Sequence, residues 1–476
     1  MASILLSDLI SRLPDLRVFY TDWGVLPRAE ALAGESIDTW NTSWLWHPSL
    51  LLLTDSVVGQ ALWFALAGVA AVALLVGYKT RLATILAWFL VLSLHIRNPL
   101  ILSGGDALLC LLLFWGMFLP LGAWWSIDRL RDPAAARTPA RVCSVGTQAV
   151  MFQVCFMYLI ASTLKFGPEW HDGMAVYYAL NLDAFAQPFG RGLLTALPPG
   201  ALTLLTHAVM MLERIAPWWL LCPVAIGPSR AIAVAVYAGL QLGLGASLRL
   251  GLFPWISSVA MLPFLPTWWW ERLQHPQRQP QRQPVPVIRT GRWANGLAAA
   301  ALIYIGCWEL GAIAHLRRYQ GAGPLNQLGS SLRLGQMWSM FAPYPDKHDG
   351  WFVIPGRLAD GRVIDLFGGG KEVSWEKPAS VLATFKNSRW QVYMERLLKL
   401  PTAAMHRLYF SAYLCRDWNA GHQGPDQLQD VTIYFMQERT LPGSRVAPIE
   451  RVLVWKQSCF VAGQPLLGGT EPSRRP

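Results

Sequence analysis

The sequence predicts an α-helical polytopic membrane bundle of about eight transmembrane helices, followed by a C-terminal extracytoplasmic α+β domain. Composition is the first reason, because 53% of the 476 residues are hydrophobic and only 14% are charged, whereas soluble proteins carry about 25% charged residues. The mean hydropathy is +0.31. The second reason is a series of apolar segments that approach the roughly 20 helical residues needed to cross a bilayer. The third is a change to mixed polar composition after residue 318.

The predicted regions follow one another along the chain. Residues 1–48 are short on apolar runs and lack the basic start of a cleavable signal peptide, so we expect an extracytoplasmic N-terminal segment. The transmembrane core is predicted over 49–271, a Pro/Gln/Arg-rich cytoplasmic linker over 272–293, the last transmembrane helix over 294–318, and the extracytoplasmic α+β domain over 319–476. The individual membrane helices are predicted near 51–77, 80–97, 100–123, 142–165, 200–224, 229–250, 251–271 and 294–316.

The orientation follows from lysine and arginine in the short loops, which are enriched on the cytoplasmic side. Loops 78–81, 124–141 and 225–230 and the linker 271–293 hold twelve such residues, and the opposite loops hold three, Arg97, Arg191 and Arg249. The twelve are therefore predicted to face the cytoplasm of a bacterial cell, with the protein in its inner membrane. The polar groups of 19–28, of 97–106 and of 165–173 then converge on the outer face, which predicts an extracytoplasmic site.

The C-terminal region has the alternation of a small mixed domain. Residues 352–367 are typical of a hairpin around Asp360-Gly361, 388–399 and 402–418 have helical spacing, and 430–437 and 451–457 alternate like strands. Residues 334–343, rich in Trp, Met and Phe, are expected either on the bilayer surface or as a plug in the outer mouth of the bundle. The seven cysteines form no CxxC, and Cys415 and Cys459, both in this polar part, could pair.

Lys165 ends an apolar run and precedes a short polar turn. A lysine there can simply extend its stem along lipid and keep its ammonium in water. However, only two lysines, Lys79 and Lys165, occur before residue 347 although arginine is abundant. Arginine would anchor equally well but cannot give up its proton, whereas a buried lysine can act as a base. We expect Trp170 and Phe166 to cover Lys165, with the carboxylates of the 166–173 turn pointing elsewhere.

Further charges lie within the apolar segments, where an unpaired charge is costly. Asp106 is expected to pair with Arg97 across a short turn, for a structural or a functional reason. Glu213 and Arg214 lie in the middle of a segment, so each needs a partner on another helix. They predict a polar network that specifies the bundle, with a catalytic role as the alternative.

Asp22 and Arg28 flank a turn and are expected to form an ion pair, and His95 is interpreted as a structural residue.

Other functions have no support in the sequence. The nine histidines show no HExxH or paired-ligand spacing, so no metal is predicted. A P-loop, GxGxxG and GxSxG are absent, and no basic cluster interleaved with aromatics predicts a nucleic-acid partner. The expected partners are the lipid bilayer and a secreted peptide client.

Several motifs together resemble the HTTM (horizontally transferred transmembrane) family, whose best-known members are vitamin K-dependent gamma-carboxylases. They are Phe19-Tyr-Thr-Asp-Trp-Gly-Val-Leu-Pro-Arg28, Gly105-Asp106, Trp125-Ser-Ile-Asp128, Lys165 followed by Trp170-His-Asp-Gly173, and Gln336-Met-Trp-Ser-Met-Phe-Ala-Pro343. In animal carboxylases a lysine five residues before Trp-x-x-Gly is regarded as the base that deprotonates vitamin K hydroquinone. Lys165 with Trp170 and Gly173 reproduces this spacing.

The resemblance implies a lyase-like enzyme that uses vitamin K hydroquinone or menaquinol with O2 and CO2 to carboxylate glutamate in a secreted peptide. Lys165 and Asp106 are then the expected catalytic residues. The expected binding residues are Tyr20, Asp22, Arg28, Arg97, Trp170, His171, Asp172 and Gly173.

Three departures from the family pattern accompany this resemblance. Leu164 stands where animal carboxylases have a second lysine, and Gly105 stands where they have a functional histidine. Family members usually have a membrane helix before the Phe-Tyr-x-Asp motif, where this chain has Met1 to Arg17, which implies a mis-assigned start or a missing first helix. Some bacterial relatives mature a secreted toxin peptide without established carboxylation, so a non-enzymatic maturation factor or chaperone is the alternative function.

Overall fold

A computed structural model of the chain describes residues 1–33, 49–131, 141–274, 287–289, 291–313, 324–400, 403–443, 445–461 and 464–465. Most of this part is helical, and a sheet region follows near the C-terminus. Most of the predicted linker 272–293 and the junction at 314–323 lie outside the described residues.

The α-helices of the described chain differ widely in length, from single turns to 22 residues. In chain order they are α1 Ala2–Arg12, α2 Leu16–Tyr20, α3 Arg28–Ala33, α4 Val57–Val76, α5 Thr80–Arg97, α6 Gly104–Gly116, α7 Ile127–Arg131, α8 Val145–Thr163, α9 Pro168–His171, α10 Ala175–Leu180, α11 Pro188–Ala196, α12 Pro199–Leu220, α13 Ile226–Ser247, α14 Phe253–Ala260, α15 Thr267–Gln274, α16 Arg292–Ile313, α17 Pro324–Ser331, α18 Val381–Thr384, α19 Ser388–Lys399 and α20 Ala403–Asn419.

Four described helices, α4, α5, α8 and α13, are long and apolar enough to cross a membrane. On α4, Val58, Leu62 and Val69 are each about two-thirds exposed (70%, 66% and 66%), as expected of side chains that face lipid. Helices α12 and α16 have 22 residues each and coincide with predicted segments, but they are not among the four. The prediction of eight spans is therefore not confirmed.

Local signals in the sequence explain why two of the predicted spans are short. Helix α6 starts only at Gly104, because Ser103 and Asp106 form a capping box that fixes its first turn. The predicted helix 251–271 is interrupted by a 3-10 turn at Leu262–Phe264, which contains Pro263, and by Pro266 before α15. Proline cannot continue a helical hydrogen-bond pattern. What remains of these segments are apolar helices of less than membrane-spanning length.

The N-terminal residues form part of the bundle. Helix α1 packs on α4, and its Leu5 and Leu9 are buried. Asn98, which follows α5, donates from its side chain to the carbonyl of Phe19 at 2.9 Å. The segment predicted as an extracytoplasmic arm is thus a set of short helices, α1 to α3, of which α1 and α2 pack on α4.

The main sheet has the strand order β3-β7-β4-β5-β6, and β8 and β9 also pair with β7. Its strands are β3 His348–Val353, β4 Pro355–Leu358, β5 Val363–Asp365, β6 Lys371–Glu372, β7 Leu428–Leu441, β8 Arg445–Val446 and β9 Glu450–Ser458. Two small pairs stand apart, β1 Arg141–Cys143 with β2 Val287–Arg289, and β10 Phe460–Val461 with β11 Gln464–Pro465.

The predictions for the C-terminal elements are confirmed. Strands β4 and β5 form the antiparallel hairpin, in which Gly361 has a positive φ of 91°. Helices α19 and α20 lie where helical spacing predicts them, and the two predicted strands are β7 and β9, paired antiparallel. Cys415 and Cys459 form a disulfide that joins α20 to the chain just after β9.

The C-terminal domain is packed on the helix bundle. Arg396 of α19 donates to the carbonyls of Pro99 and Leu102, which lie between α5 and α6. Arg249 Nη1 donates to the Leu382 carbonyl at 3.0 Å, and Arg416 Nη2 donates to the Trp23 carbonyl at 2.9 Å. Because these bonds come from three different elements, the domain has one defined position on the bundle.

Candidate functional site

Lys165 lies just beyond the end of α8 and is only 4% exposed. Its Nζ forms an ion pair with the carboxylate of Glu213, a buried residue in the middle of α12. The same nitrogen lies over the Trp170 ring, 4.8 Å from its centroid. The lysine is therefore held between a carboxylate and an indole, as a cation favours.

The two carboxylates nearest in sequence are not the partners of Lys165. Glu169 pairs with Lys347 at 2.5 Å, and Asp172 is exposed. Trp170 covers the lysine as expected, whereas Phe166 is 61% exposed. Of the two aromatic residues expected to cover Lys165, only Trp170 does so. The negative charge that balances Lys165 comes from Glu213 and not from the 166–173 turn.

The Trp-x-x-Gly spacing has a clear structural cause. Residues 168–171 form the single turn α9, and Gly173 follows it with a φ of 75°, the left-handed conformation that ends many helices. A Cβ on Gly173 would lie 2.3 Å from Thr203 Cγ2. The backbone carbonyl of His171 lies 3.1 Å from His207 Nε2, and the His171 side chain is exposed. This turn positions Trp170 over Lys165.

Asp106 is held by basic residues from distant parts of the chain. Its Oδ1 binds Arg12 Nη2 at 2.5 Å and Arg389 Nη2 at 3.1 Å, and His95 Nε2 lies 3.8 Å away. Its Oδ2 accepts hydrogen bonds from Ser103 at 2.7 and 2.9 Å. Both oxygens are thus in use, and the carboxylate ties α1 and α19 to the start of α6.

The expected pairing of Asp106 with Arg97 is wrong. Arg97 is fully buried and donates to the Leu26 carbonyl at 2.9 Å, and its Nη2 lies 3.7 Å from Asp22 Oδ1. The expected pair of Asp22 with Arg28 is confirmed at 4.0 Å, supported by the Arg28 backbone N–H, which donates to Asp22 at 2.6 Å. Arg97 therefore stabilises the N-terminal turn.

Tyr20 belongs to the Asp106 cluster and not to the neighbouring Asp22 turn. Its hydroxyl accepts a hydrogen bond from Arg12 Nη1 at 2.6 Å. Arg12 also binds Asp8 at 2.9 Å, and Arg389 forms ion pairs with both Asp8 and Asp106. Two carboxylates and two guanidinium groups thus balance each other in a buried cluster.

Residues 334–343, named the plug segment here, enter the helix bundle. Gln336 pairs with Gln153, which lies eight residues into α8, through two amide hydrogen bonds of 2.6 and 3.1 Å. At its other end, the carbonyl of Phe341 accepts from Trp170 Nε1 at 3.0 Å, and that of Pro343 accepts from Gly167 N at 2.9 Å. The expected positions were the bilayer surface or a plug in the bundle, and the segment lies within the bundle.

The plug segment touches both predicted halves of the site. Its Phe341 bonds to Trp170, which covers Lys165. Its Trp338 ring lies against Gly104, two residues from Asp106. Asp106 and Lys165 have separate ion-pair partners, so the plug segment is what connects their surroundings.

Gly105 is closely packed, which bears on the departure from the carboxylase pattern. A Cβ at this position would lie 3.0 Å from the backbone nitrogen of Phe253 and 3.1 Å from its Cα. A histidine does not fit there without movement of α14. The imidazole of His95, on α5, lies 3.8 Å from Asp106, a position that no local sequence pattern predicted.

One group of acidic residues and one buried glutamate escaped the sequence analysis. Asp183, Asp349 and Glu438 have carboxylate oxygens all within 4.8 Å of one another, and Lys377 pairs with Asp183 at 2.6 Å and with Glu438. Glu309 is buried within α16. The first group is assembled by β3, β7 and a loop, so no local pattern marks it, whereas a lone glutamate in a predicted membrane helix is a visible signal.

Comparison with known protein families gives one match. Residues 56–269 match the HTTM domain family. This part of the chain is similar to HTTM domains, and it is called the HTTM domain below. The HTTM domain includes Gly105-Asp106, Trp125–Asp128, Lys165–Gly173 and Glu213, and it ends before the plug segment. No curated protein and no solved structure matches the chain.

The HTTM domain and the four apolar helices together identify an integral membrane protein. Lys165, Trp170 and Glu213 lie inside the HTTM domain, whereas Arg12 and Arg389, the partners of Asp106, lie outside it. The Lys165 pair is therefore internal to the domain, and the Asp106 cluster joins the domain to the rest of the chain.

Proposed function

We propose that this HTTM protein is a membrane enzyme that uses a lipid quinol, vitamin K hydroquinone or menaquinol, to modify an exported peptide. The observation that carries the proposal is the buried Lys165, which lies under Trp170 and is paired with Glu213. When Lys165 passes its own proton to the paired Glu213 carboxylate, the neutral amine that results can take a proton from a quinol hydroxyl. Glu213 is thus assigned as the group that orients and neutralises Lys165.

The surroundings of Lys165 fit an aromatic, lipid-soluble cofactor. Trp170 packs with Val209 and Met210 of α12 and with Phe341 of the plug segment, so the walls are apolar and aromatic. When bound, the quinol would supply, with O2, the strong base needed to remove a γ-proton from a peptide glutamate. CO2 would then add to the γ-carbon that has lost its proton. Since Lys165 is 4% exposed, access requires displacement of Trp170 or of the plug segment that holds it.

The same proposal places the Lys165 end and the C-terminal domain outside the cytoplasm, in an inner membrane. The loop asymmetry of twelve to three basic residues supports this orientation. The Cys415–Cys459 disulfide supports it independently, because disulfides persist in oxidising compartments.

A second candidate is a non-enzymatic maturation factor or chaperone for an exported peptide. The Lys165–Glu213 pair favours it in one respect, because a buried ion pair between the end of α8 and α12 can have a purely structural role. Strand β9 is paired only with β7 among the described strands, which leaves one strand edge able to bind an extended peptide.

Replacement of Lys165 by arginine separates the two functions. Arginine keeps the charge and can pair with Glu213, but it does not release a proton. We expect Lys165→Arg to lower quinol-dependent O2 consumption by about 100-fold or more, the usual range for loss of an acid–base group. The assay uses the purified full-length protein, a chemically reduced naphthoquinol and a glutamate-rich peptide.

The matched control is Lys79→Arg, which changes the only other lysine before residue 347 and should leave the rate unchanged. Full activity of the Lys165→Arg protein would end the base assignment. A wild-type protein that consumes no O2 but protects the peptide from aggregation would favour the maturation factor.

A further inference from the structure

Glu309 of α16 is a buried carboxyl group that the Lys165 chemistry does not use. It is 1% exposed, and neither of its carboxyl oxygens has a hydrogen-bond partner among the described residues. Burial of a polar group without a partner costs several kcal/mol, and an ionisable residue in a membrane helix is by default a candidate functional group. Its position therefore requires an explanation beyond packing.

Trp338, the polar neighbour of Glu309, belongs to a separate hydrogen-bond network. Trp338 of the plug segment lies beside the carboxyl, but its indole N–H donates to Gln336 Oε1 at 2.8 Å. Gln336 and Gln153 bind each other, and Trp115 donates to Gln153 Oε1 at 3.3 Å. The side-chain oxygens of Gln336 and Gln153 thus accept the hydrogen bonds of the two indoles and of each other's amide. The Glu309 carboxyl remains an acceptor without a bond from this network.

The chemistry of this position defines the ligand that would suit it. A carboxyl oxygen needs a hydroxyl or amine donor, and the Trp338 indole offers a flat face for an aromatic ring. On the same helix, Ile303 and Leu310 are 67% and 64% exposed, so the adjoining face of α16 is apolar and open, as the predicted membrane helix 294–316 would present to lipid. A ligand that arrives through the bilayer, carries a hydroxyl and has an aromatic ring meets all three conditions.

We propose that Glu309 binds a hydroxyl group of the lipid quinol, whose ring packs on Trp338. The identity of the ligand as a quinol rests on the proposed function, whereas the site rests on Glu309 and its surroundings. Trp338 is three residues from Phe341, so their Cα atoms are at most about 11 Å apart. Since the Phe341 carbonyl holds Trp170, a ligand that shifts Trp338 also acts on the cover of Lys165.

A binding measurement tests this site without reference to turnover. Purified full-length protein in detergent is dialysed to equilibrium, without oxygen and with excess dithionite, against a short-chain naphthoquinol. Loss of a hydrogen bond to a charged group weakens binding by roughly tenfold to 100-fold. We expect Glu309→Gln and Glu309→Leu to raise the Kd by at least about tenfold, and Glu372→Gln, at an exposed position of β6, to leave it unchanged.

Thermal unfolding of the same proteins distinguishes loss of a site from loss of the fold. Because Glu309→Leu replaces an unpartnered carboxyl by an apolar group, its Tm should equal or exceed that of the wild type. Weaker binding with an undiminished Tm supports the site. Unchanged binding in both Glu309 variants, or a clear fall in the Tm of Glu309→Leu, overturns it while the proposed function stands. Absence of naphthoquinol binding by the wild type overturns both this site and the use of a quinol.

Discussion

Lys165, just after α8, and Glu213, on α12, are both buried and paired, so neither charge can be removed without leaving the other uncompensated. Breaking such a pair costs about 3–5 kcal/mol, whereas replacing both members by apolar residues is often neutral or stabilising. We therefore expect Lys165→Met and Glu213→Leu each to lower the free energy of unfolding by about that amount, and the double variant to recover most of the loss. Thermal and denaturant unfolding in detergent provide the measurement.

The double variant also separates a structural role of the pair from a catalytic one. If the pair only specifies how α8 and α12 pack, the stable double variant retains function. If Lys165 is the base, the double variant is stable and inactive. Single variants that are as stable as the wild type would contradict the ion pair itself.

At this scale the sequence predicted important residues better than their partners. Lys165 was identified by the scarcity of lysine, and its cover by Trp170 was expected, as was the absence of the turn carboxylates. Its pairing with Glu213 was not predicted, because that contact joins positions 48 residues apart. Asp106 was expected to need a basic partner and has two, Arg12 and Arg389, at sequence separations of 94 and 283 residues. Separations of that size depend on the tertiary fold, which no local pattern encodes.

At the scale of elements, strands β3 and β7 place two carboxylates directly opposite each other, Asp349 and Glu438. Asp183, from the loop after α10, comes within 4.8 Å of both, and its backbone N–H donates to Asp349. Burial, with the charge of Asp183 as the next cause, raises the pKa of Asp349 from 3.8 to about 7. The proton on Asp349 therefore stabilises the contact between the sheet and the helix bundle.

The sign of the pH dependence follows from this raised pKa. Between pH 3.8 and about 7 the folded protein holds a proton that the unfolded chain has released, so the Asp349 contribution to stability falls as the pH rises through that range. We expect the Asp349→Asn variant to gain stability relative to the wild type at pH 8 and much less at pH 5. The measurement is the Tm of both proteins at the two pH values, with Glu372→Gln as the exposed control. An Asp349→Asn effect that does not change with pH would contradict the assignment.

Elements were predictable where local rules determine them. The hairpin around Gly361, helices α19 and α20 and the pairing partners β7 and β9 lie where alternation and spacing place them. The membrane helices were predicted less well, because apolar composition does not show where a helix begins or ends. The capping box at Ser103 and the prolines at 263 and 266 shorten two of them, and both signals are visible in the sequence once helix ends are considered.

At the scale of the whole molecule, the plug segment links parts of the chain that were predicted to converge. It bonds to Gln153 inside the bundle, to Trp170 over Lys165, and lies against Gly104 near Asp106. Irregular backbone inside a membrane protein is tolerated where protein surrounds it. Loop charges predicted that 97–106 and 165–173 converge, but they did not predict the route of the plug segment, because its position depends on pairing between Gln336 and a residue of α8.

The membrane orientation is the prediction on which the extracytoplasmic site depends. Loops 78–81, 124–141, 225–230 and 271–293 hold twelve basic residues against three on the other side, and this bias sets orientation during insertion. We expect fusions after Ala135 and after Gln283 to give active green fluorescent protein and inactive alkaline phosphatase, and a fusion after Arg318 to give the reverse. The Gln283 fusion is the matched control for Ala135, since both lie in predicted cytoplasmic loops. If the Ala135 and Arg318 fusions give the same signal, the predicted orientation is wrong. The C-terminal domain and Lys165 then do not lie together on the outer face, and the proposed site for exported peptides is contradicted.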